Sequence, residues 1–416
     1  MTLPPVRQAA LPAASRTGLV LTGGGARAAY QVGVLRAIRA IRREAGQSHT
    51  GNPFPILCGT SAGAINAAAL AAGSDHFDTA VRRLTHVWTH VRAEQVYRAD
   101  AWAAVRAGTR WVSLLSLGWV LAHWRQLRPR SLLDNAPLAT LLRAHVPVKR
   151  IPHLLAAGHL RGLSITASSY ATGEHITFYQ SADPVAPWSR AQRSAVQADI
   201  RAEHLLASSA IPFIFPAGEV TMDGVTGWYG DGSMRQVAPM SPAIHLGADR
   251  VMVIGAGRAN EPHRAPPATA RTYPTLAQVA GHALSSIFLD TLSADIERTA
   301  RINHTLSLIA PEARAQSALR HIELLVISPS QPLDELAVQH VAELPATVRT
   351  LLGILGVRAN DRASGALASY LLFEPGYTRA LMHLGWCDTL RQRAEVERFF
   401  GWDRSVPAHL THDALK

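Results

Sequence analysis

The chain has 416 residues and a mass of 44.8 kDa, which allows one large domain or two to three domains and excludes a peptide-sized scaffold. It is 48% hydrophobic and 17% charged, so it can bury a large core and lacks the composition of a disordered chain. The formal net charge of +11 favours acidic partners such as anionic lipid surfaces or nucleic acid.

The sequence offers no sign of a disulfide framework, a zinc site or a leader. Cys58 and Cys387 lie far apart without metal-ligand spacing, which is typical of a reducing cytoplasm. Residues 1–15 lack the order of a signal peptide, and we expect them to form a flexible N-terminal arm. No Lys/Arg-rich run or nucleic-acid-binding module is present. We therefore expect a cytoplasmic protein that lies peripherally at a membrane and does not bind nucleic acid.

Two successive units of strand, glycine turn and helix open the chain. Because parallel strands require crossover connections, this order predicts an α/β fold with a mostly parallel central sheet covered by helices on both faces. The predicted parts are Gly18–Thr22, Gly23–Gly25 and Ala26–Ile41 in the first unit, and Phe54–Cys58, Gly59–Gly63 and Ala64–Ala72 in the second.

The later pattern predicts more sheet and then a helical end. Asp78–Leu142, rich in tryptophan, has the pattern of a helical insertion. Strands are predicted at Leu163–Ser169, His175–Tyr179, Glu219–Met222, Trp228–Tyr229, Arg250–Ile254 and His321–Ile327, an exposed loop at Gly255–Pro274, and helices at Asp199–Ser209, Leu276–Arg301, Ala346–Leu355, Ala363–Leu372 and Tyr377–Phe400. We expect one domain over residues 16–330 and a helical C-terminal region over 331–416, which either packs on the sheet domain or mediates assembly.

The segment Gly59–Gly63 matches G-x-S-x-G between a predicted strand and a predicted helix, the setting of a nucleophile elbow. We expect Ser61 to adopt strained backbone geometry there and to stand exposed above the sheet edge, where the helix N-terminus favours negative charge. The alternative is a chance pattern of small residues in an alanine-rich protein.

The glycines Gly23, Gly24 and Gly25 can turn several backbone N–H groups towards one anion, as an oxyanion hole requires. A dinucleotide-binding GxGxxG motif is incomplete, because Ala28 occupies the third glycine position, and no Lys-Ser/Thr pair of a phosphate loop follows. A plain strand–helix turn explains the same glycines. Arg27 has two open roles, as an anchor of the loop or as a phosphate ligand.

A serine nucleophile needs a base, and none of the 19 histidines stands in a motif that marks it as one. Asp231 is better marked, because it lies between Gly230 and Gly232, which we expect to hold it at a loop tip. An ordinary Asp-Gly turn is the alternative interpretation.

Together these motifs resemble the patatin-like phospholipases. Four motifs occur in the order and approximate spacing of that family. They are Gly-Gly-Gly-Ala-Arg at 23–27, Gly-Thr-Ser-Ala-Gly at 59–63, Ala-Ser-Ser-Ala-Ile-Pro at 207–212 and Asp-Gly at 231–232. The resemblance is clear over residues 16–255, weaker up to Ile322–Ile327, and does not reach the C-terminal region.

The resemblance implies a three-layer α/β fold and a catalytic dyad in which Ser61 attacks a lipid ester while Asp231 acts as its base. It also implies an oxyanion hole formed by Gly23, Gly24, Gly25 and Ala62, with Arg27, Gly59, Gly63 and Gly232 in support, and no metal or organic cofactor. The family usually has Gly or Ala where this chain has Ser233, which is small enough to keep activity. Ala207–Pro216 carries no titratable group and is interpreted as framework.

The apolar stretch Trp111–Trp124 lies between two arginines and is too short to span a bilayer. It suits either a membrane-interface or acyl-pocket helix or a plain core helix, and it is a candidate lid over Ser61.

We therefore expect a serine acyl hydrolase of the lipase or phospholipase A type, cleaving fatty-acyl esters of membrane lipids through an acyl-enzyme. The alternatives are a soluble esterase or thioesterase on small acyl substrates, and a non-catalytic lipid-binding module of the same fold.

Overall fold

The computed structural model describes residues 16–48, 51–98, 131–222, 224–257, 275–287, 291–354, 357 and 365–403. The predicted N-terminal arm, the Trp111–Trp124 stretch and residues 258–274 of the predicted loop lie outside this part of the chain.

The described residues form one sheet of ten strands in the order β10-β9-β1-β2-β3-β4-β6-β5, with β8 joined to β3 and β7 joined to β8. The strands from β10 to β3 are parallel, whereas β4 and β8 run antiparallel to β3. The bounds are β1 Thr17–Leu21, β2 Ile56–Thr60, β3 Gly162–Ser169, β4 His175–Ser181, β5 Ser189–Arg190, β6 Arg193–Gln197, β7 Gly218–Met222, β8 Val225–Asp231, β9 Arg250–Ile254 and β10 Glu323–Ile327.

Helices cover both faces of this sheet. Leu19 and Leu21 of β1 pack into one large apolar cluster, while Val20 between them packs into a second cluster on the other face. The described helices are α1 Ala29–Glu44, α2 Ala62–Ala71, α3 Phe77–His90, α4 Ala93–Val96, α5 Ala136–His145, α6 Ile151–Ala156, α7 Ala202–Ser208, α8 Ser241–His245, α9 Leu276–Ser285, α10 Thr291–Ser307, α11 Pro311–Ala315, α12 Leu333–Val338, α13 Ala346–Ile354, α14 Gly365–Leu371, α15 Pro375–Arg391 and α16 Arg393–Phe400. The predicted mostly parallel α/β fold with a three-layer arrangement is confirmed.

Several element bounds differ from the prediction. The short strands β5 and β6 were not expected, and the single helix predicted over Tyr377–Phe400 is interrupted at Gln392, so it forms α15 and α16. The first predicted helix begins as a 3-10 turn over Gly25–Ala28 before α1. These differences arise at the edge of the sheet and at helix ends, where tertiary packing outweighs local propensity.

The described C-terminal helices pack on the sheet domain, mainly through α15 and α1. Gly33 and Gly385 allow close approach of the two backbones, because a Cβ on Gly385 would lie 2.3 Å from the carbonyl oxygen of Tyr30. The Tyr30 hydroxyl donates a hydrogen bond of 3.0 Å to the buried carboxylate of Asp388. Burial next to that carboxylate raises the pKa of Tyr30, so the hydroxyl remains a donor.

Replacing a glycine by alanine tests this helix contact. Gly385→Ala places a methyl group against the Tyr30 carbonyl and should lower the free energy of unfolding by about 1–3 kcal/mol. The matched change Gly353→Ala in α13 meets no atom within 4 Å and should raise it by up to about 1 kcal/mol. Denaturant unfolding measures both, and equal effects of the two changes would contradict the close packing.

Candidate active site

Two strands meet end to end along one edge of β3. The parallel strand β2 pairs with β3 up to Thr60 opposite Thr166, and the antiparallel strand β8 ends at Asp231 opposite Ala167. The other edge of β3 is occupied by β4. Because Thr166 and Ala167 are neighbours, the carboxyl ends of β2 and β8 face each other, which brings Ser61 close to Asp231.

Ser61 occupies a sharp turn between β2 and α2. Its φ of 55° and ψ of −131° form a backbone conformation that costs a residue with a side chain roughly 1–3 kcal/mol. Gly63 makes the turn possible, since a Cβ there would lie 2.3 Å from the carbonyl oxygen of Leu21. Ser61 is only 1% exposed to solvent and lines a cavity, so the expectation that it stands exposed is wrong.

The segment Ala207–Ile211 holds both candidate residues in place through its own polar groups. The Ser208 hydroxyl accepts a hydrogen bond of 2.9 Å from the backbone N–H of Ser61. The carbonyl of Ser208 accepts one from the N–H of Gly232, and the carbonyl of Ala210 accepts one from the N–H of Asp231. The sequence marked this segment as framework but gave no signal that Ser208 fixes the serine turn.

Asp231 is the last residue of β8 and is 0% exposed, so it does not lie at a loop tip as predicted. Its Oδ1 accepts a hydrogen bond of 2.8 Å from the N–H of Ser233, and its Oδ2 has no hydrogen-bond partner among the described residues. Burial raises the pKa of Asp231 to about 6, although the Ser61 hydroxyl and Ser233 act in the opposite direction. A buried carboxylate with one unsatisfied oxygen is a competent proton acceptor.

The Ser61 hydroxyl lies near enough to the carboxylate to lower the pKa of Asp231, but no hydrogen bond of regular geometry joins the two side chains. Catalytic hydrogen bonds commonly tighten only when substrate is bound. No described histidine contributes to the shifted pKa of Asp231.

Two of the four predicted oxyanion donors lie beside Ser61. Gly25 and Ala62 line the same cavity as the serine, and the N–H of Ala62 is the first of α2, where a helix has no internal acceptor. Gly25 has a φ of 56°, and a Cβ there would lie 2.2 Å from the carbonyl oxygen of Tyr370. Gly23 and Gly24 precede this position and do not line the described cavity.

Arg27 contacts the C-terminal helices. Its Nε donates a hydrogen bond of 2.7 Å to the Ser369 hydroxyl, and its guanidinium lies 4.2 Å from the centre of the Tyr370 ring. Arg27 is buried, which favours its role as an anchor over that of a phosphate ligand.

The remaining predicted supporting residues form close backbone contacts. Gly59 lies against the backbone of Gly63 and Ala64, and Gly232 lies against the carbonyl of Thr166. These contacts fix the ends of β2 and β8.

The cavity beside Ser61 has a volume of about 540 Å³, within the range of small-molecule sites. Most of its lining is apolar and comes from α2, α3 and α5, with Tyr370 and Phe373 contributed by the C-terminal region. No sequence pattern marks these two aromatic residues or the leucines of α5 as functional.

Neither a metal centre nor a membrane span is found in the part of the chain that the structure describes. No group of three or more His, Cys, Asp or Glu side chains is placed to hold a metal ion there. None of the described helices is long and apolar enough to cross a bilayer.

Asp231→Asn should stabilise the protein near neutral pH. Because burial raises the pKa of Asp231 from 3.8 to about 6, the folded protein loses stability as pH rises through that interval, by on the order of 2–3 kcal/mol. Asparagine keeps the shape and the Ser233 contact without the charge. Unfolding measurements should show the full advantage of the variant above about pH 6 and little advantage near pH 4; an advantage independent of pH would contradict this account.

Ser208→Ala should lower the free energy of unfolding by about 1–3 kcal/mol, because the buried N–H of Ser61 loses its acceptor. The adjacent Ser209→Ala is the matched control, since the Ser209 hydroxyl has no partner among the described residues and should change stability by under about 0.5 kcal/mol. Thermal or denaturant unfolding of both variants makes the comparison, and equal losses would remove the special role of Ser208.

Comparisons with known proteins identify the family of this chain. A family model described as patatin-like phospholipase matches residues 19–244, more than half of the chain. Among solved structures, VipD from Legionella pneumophila is similar at 14% identity over 88% of this chain and 67% of that one, with a TM-score of 0.28, which is too low to support an argument. No curated protein matches. Because this family model matches more than half of the chain, the chain belongs to the patatin-like phospholipase family and is a lipid ester hydrolase.

Proposed function

We propose that Ser61 and Asp231 form a catalytic dyad that hydrolyses fatty-acyl esters of membrane lipids. The observation that carries this proposal is the meeting of β2 and β8 on β3, which brings a strained serine next to a buried carboxylate at an apolar cavity. Family membership supports the hydrolysis of lipid esters in general. The geometry supports Ser61 as the nucleophile and Asp231 as the base.

The reaction proceeds in two halves. Asp231 accepts the proton of the Ser61 hydroxyl while Oγ bonds to the ester carbonyl carbon, and the N–H groups of Gly25 and Ala62 bind the resulting oxyanion. The C–O bond to the alcohol then breaks, and Asp231 returns its proton to the departing alkoxide. Water, deprotonated by Asp231, attacks the acyl-enzyme, and the proton passes to Ser61 as the fatty acid leaves.

The environment of Asp231 suits it to this role. A carboxylate with an ordinary pKa is a weak base, and burial raises the pKa of Asp231 to about 6, closer to the pH at which it must act. The N–H group of Ser233 holds Oδ1 in place, and Oδ2, which has no hydrogen-bond partner among the described residues, is available to accept a proton.

We propose further that residues 16–330 carry the dyad and that 331–416 complete its cavity, because Tyr370 and Phe373 form part of the wall. The net charge of +11 supports activity at the surface of an anionic membrane.

A soluble esterase or thioesterase on small acyl substrates is the second candidate. Its rate of hydrolysis would not change when vesicles are added. A non-catalytic lipid-binding module would bind vesicles without turnover.

Fluorophosphonate labelling and fatty-acid release from mixed phospholipid vesicles test the dyad. Wild type should label and release fatty acid, and Ser61→Ala should do neither. Asp231→Asn should lower release at least a hundredfold while remaining folded, because the Ser61 proton then has no acceptor. Rapid labelling and turnover by folded Asp231→Asn would remove Asp231 from the mechanism, and a folded wild type inert towards all esters would favour the lipid-binding module.

The dyad also predicts a pH profile. Only ionised Asp231 can accept the proton, so kcat/KM should rise with pH and level off above a midpoint near 6. Initial rates on a soluble ester across the range in which the protein stays folded give this profile. A midpoint near 4 would show that the carboxylate is not the buried group described above.

A further inference from the structure

One face of α2 lines the cavity along the whole helix. Four lining residues lie three or four positions apart, starting beside Ser61: Ala62, Ile65 and Ala69 of α2, and Ala72 directly after it. At a rise of 1.5 Å per residue, Ile65, Ala69 and Ala72 lie about 4.5, 10.5 and 15 Å from Ala62 along the helix. The cavity is therefore elongated, with the nucleophile at one end.

The other walls follow the same axis. The indole of Trp88 in α3 donates a hydrogen bond to Asn66 in the first turns of α2, whereas Ala80 lies against Gly73 just beyond its end. Helix α3 thus runs antiparallel to α2. Leu138, Leu141 and Leu142 of α5 form a further wall at helical spacing.

The arginines of the lining lie at the end of the cavity remote from Ser61. Arg82 and Arg83 closely follow Ala80, which lies against Gly73. The other basic lining residues, His86 and His145, are exposed to solvent, and no carboxylate is among the described lining residues. Burying a charged head group or a glycerol hydroxyl in the apolar part would cost much more than burying methylenes. The cavity consequently suits the acyl portion of an ester and not its polar alcohol portion.

We propose that the acyl chain bound at Ser61 extends along α2, and that Ile65, Ala69 and Ala72 set the length of chain that the enzyme accepts. This inference rests on the proposed Ser61 chemistry for its substrate class. Each methylene buried along the small-residue face should raise kcat/KM by about fourfold, until the chain reaches the basic end.

Ala69→Phe would block the cavity about 10.5 Å from its start, so chains that stop short of residue 69 are affected less than chains that pass it. With p-nitrophenyl esters whose acyl chains have four to sixteen carbons, the ratio of kcat/KM for long over short acyl chains should be at least tenfold lower in Ala69→Phe than in wild type. Ile65→Phe should move the limit to shorter chains. Ala136→Phe, an exposed position on α5 outside the cavity, is the matched control and should keep the wild-type ratio.

A second series holds the acyl group at four carbons and lengthens the alcohol. If Ala69→Phe discriminated among alcohols instead of acyl chains, the cavity would hold the leaving group and the proposal would be overturned. An unchanged acyl preference in both phenylalanine variants, with folding intact, would overturn it too.

A binding measurement separates this inference from the dyad. Calorimetry of Ser61→Ala with octanoate, decanoate and dodecanoate needs no turnover, and affinity should increase with length in the Ser61→Ala background and stop increasing when Ala69→Phe is added. Length-dependent binding with no esterase activity in wild type would reject the dyad and keep the acyl site. Esterase activity in wild type without length-dependent binding would keep the dyad and reject the acyl site.

Discussion

The junction on β3 is the constraint on which the site depends. A strand has only two edges, and β4 occupies one of them along nearly the whole of β3, so β2 and β8 must share the other. Because β2 runs parallel to β3 and β8 runs antiparallel to it, the carboxyl ends of β2 and β8 meet. The candidate nucleophile follows one end directly, and the candidate base is the other end, so their proximity is a property of sheet register and not of loop conformation.

This arrangement works against stability in two places. Ser61 adopts a strained backbone conformation, and Asp231 is ionised in a site that favours its neutral form. The surrounding segment opposes both costs through hydrogen bonds that it accepts from backbone N–H groups. The Ser208 hydroxyl accepts from Ser61, and the carbonyls of Ser208 and Ala210 accept from Gly232 and Asp231. The end of α7 and the turn after it thus determine the positions of both reacting groups.

The sequence predicted those parts of the site that depend on local geometry. The glycines around Ser61 indicate a sharp turn, and strand and helix patterns on either side place it correctly. The junction could not be predicted, because it depends on which strand pairs with which edge of β3. For the same reason Asp231 was expected at a loop tip. Ser208 lies in the family motif at 207–212, but nothing in that motif indicated that its hydroxyl binds the serine turn. Tyr370 lies more than 300 residues from Ser61 in the sequence, so no local pattern connects it to the cavity.

The alanine residues of α2 affect both the packing of the helix on the sheet and the volume of the cavity. On the face towards the sheet, Ala64, Ala67 and Ala68 are fully buried and let the helix approach β1 and β2 closely, which holds the serine turn. On the opposite face, Ala69 and Ala72 fill little volume and leave space between α2, α3 and α5. Larger residues on the first face would displace Ser61, and larger residues on the second would fill the cavity. The same small side chain therefore keeps the serine turn packed against the sheet and leaves space beside the nucleophile.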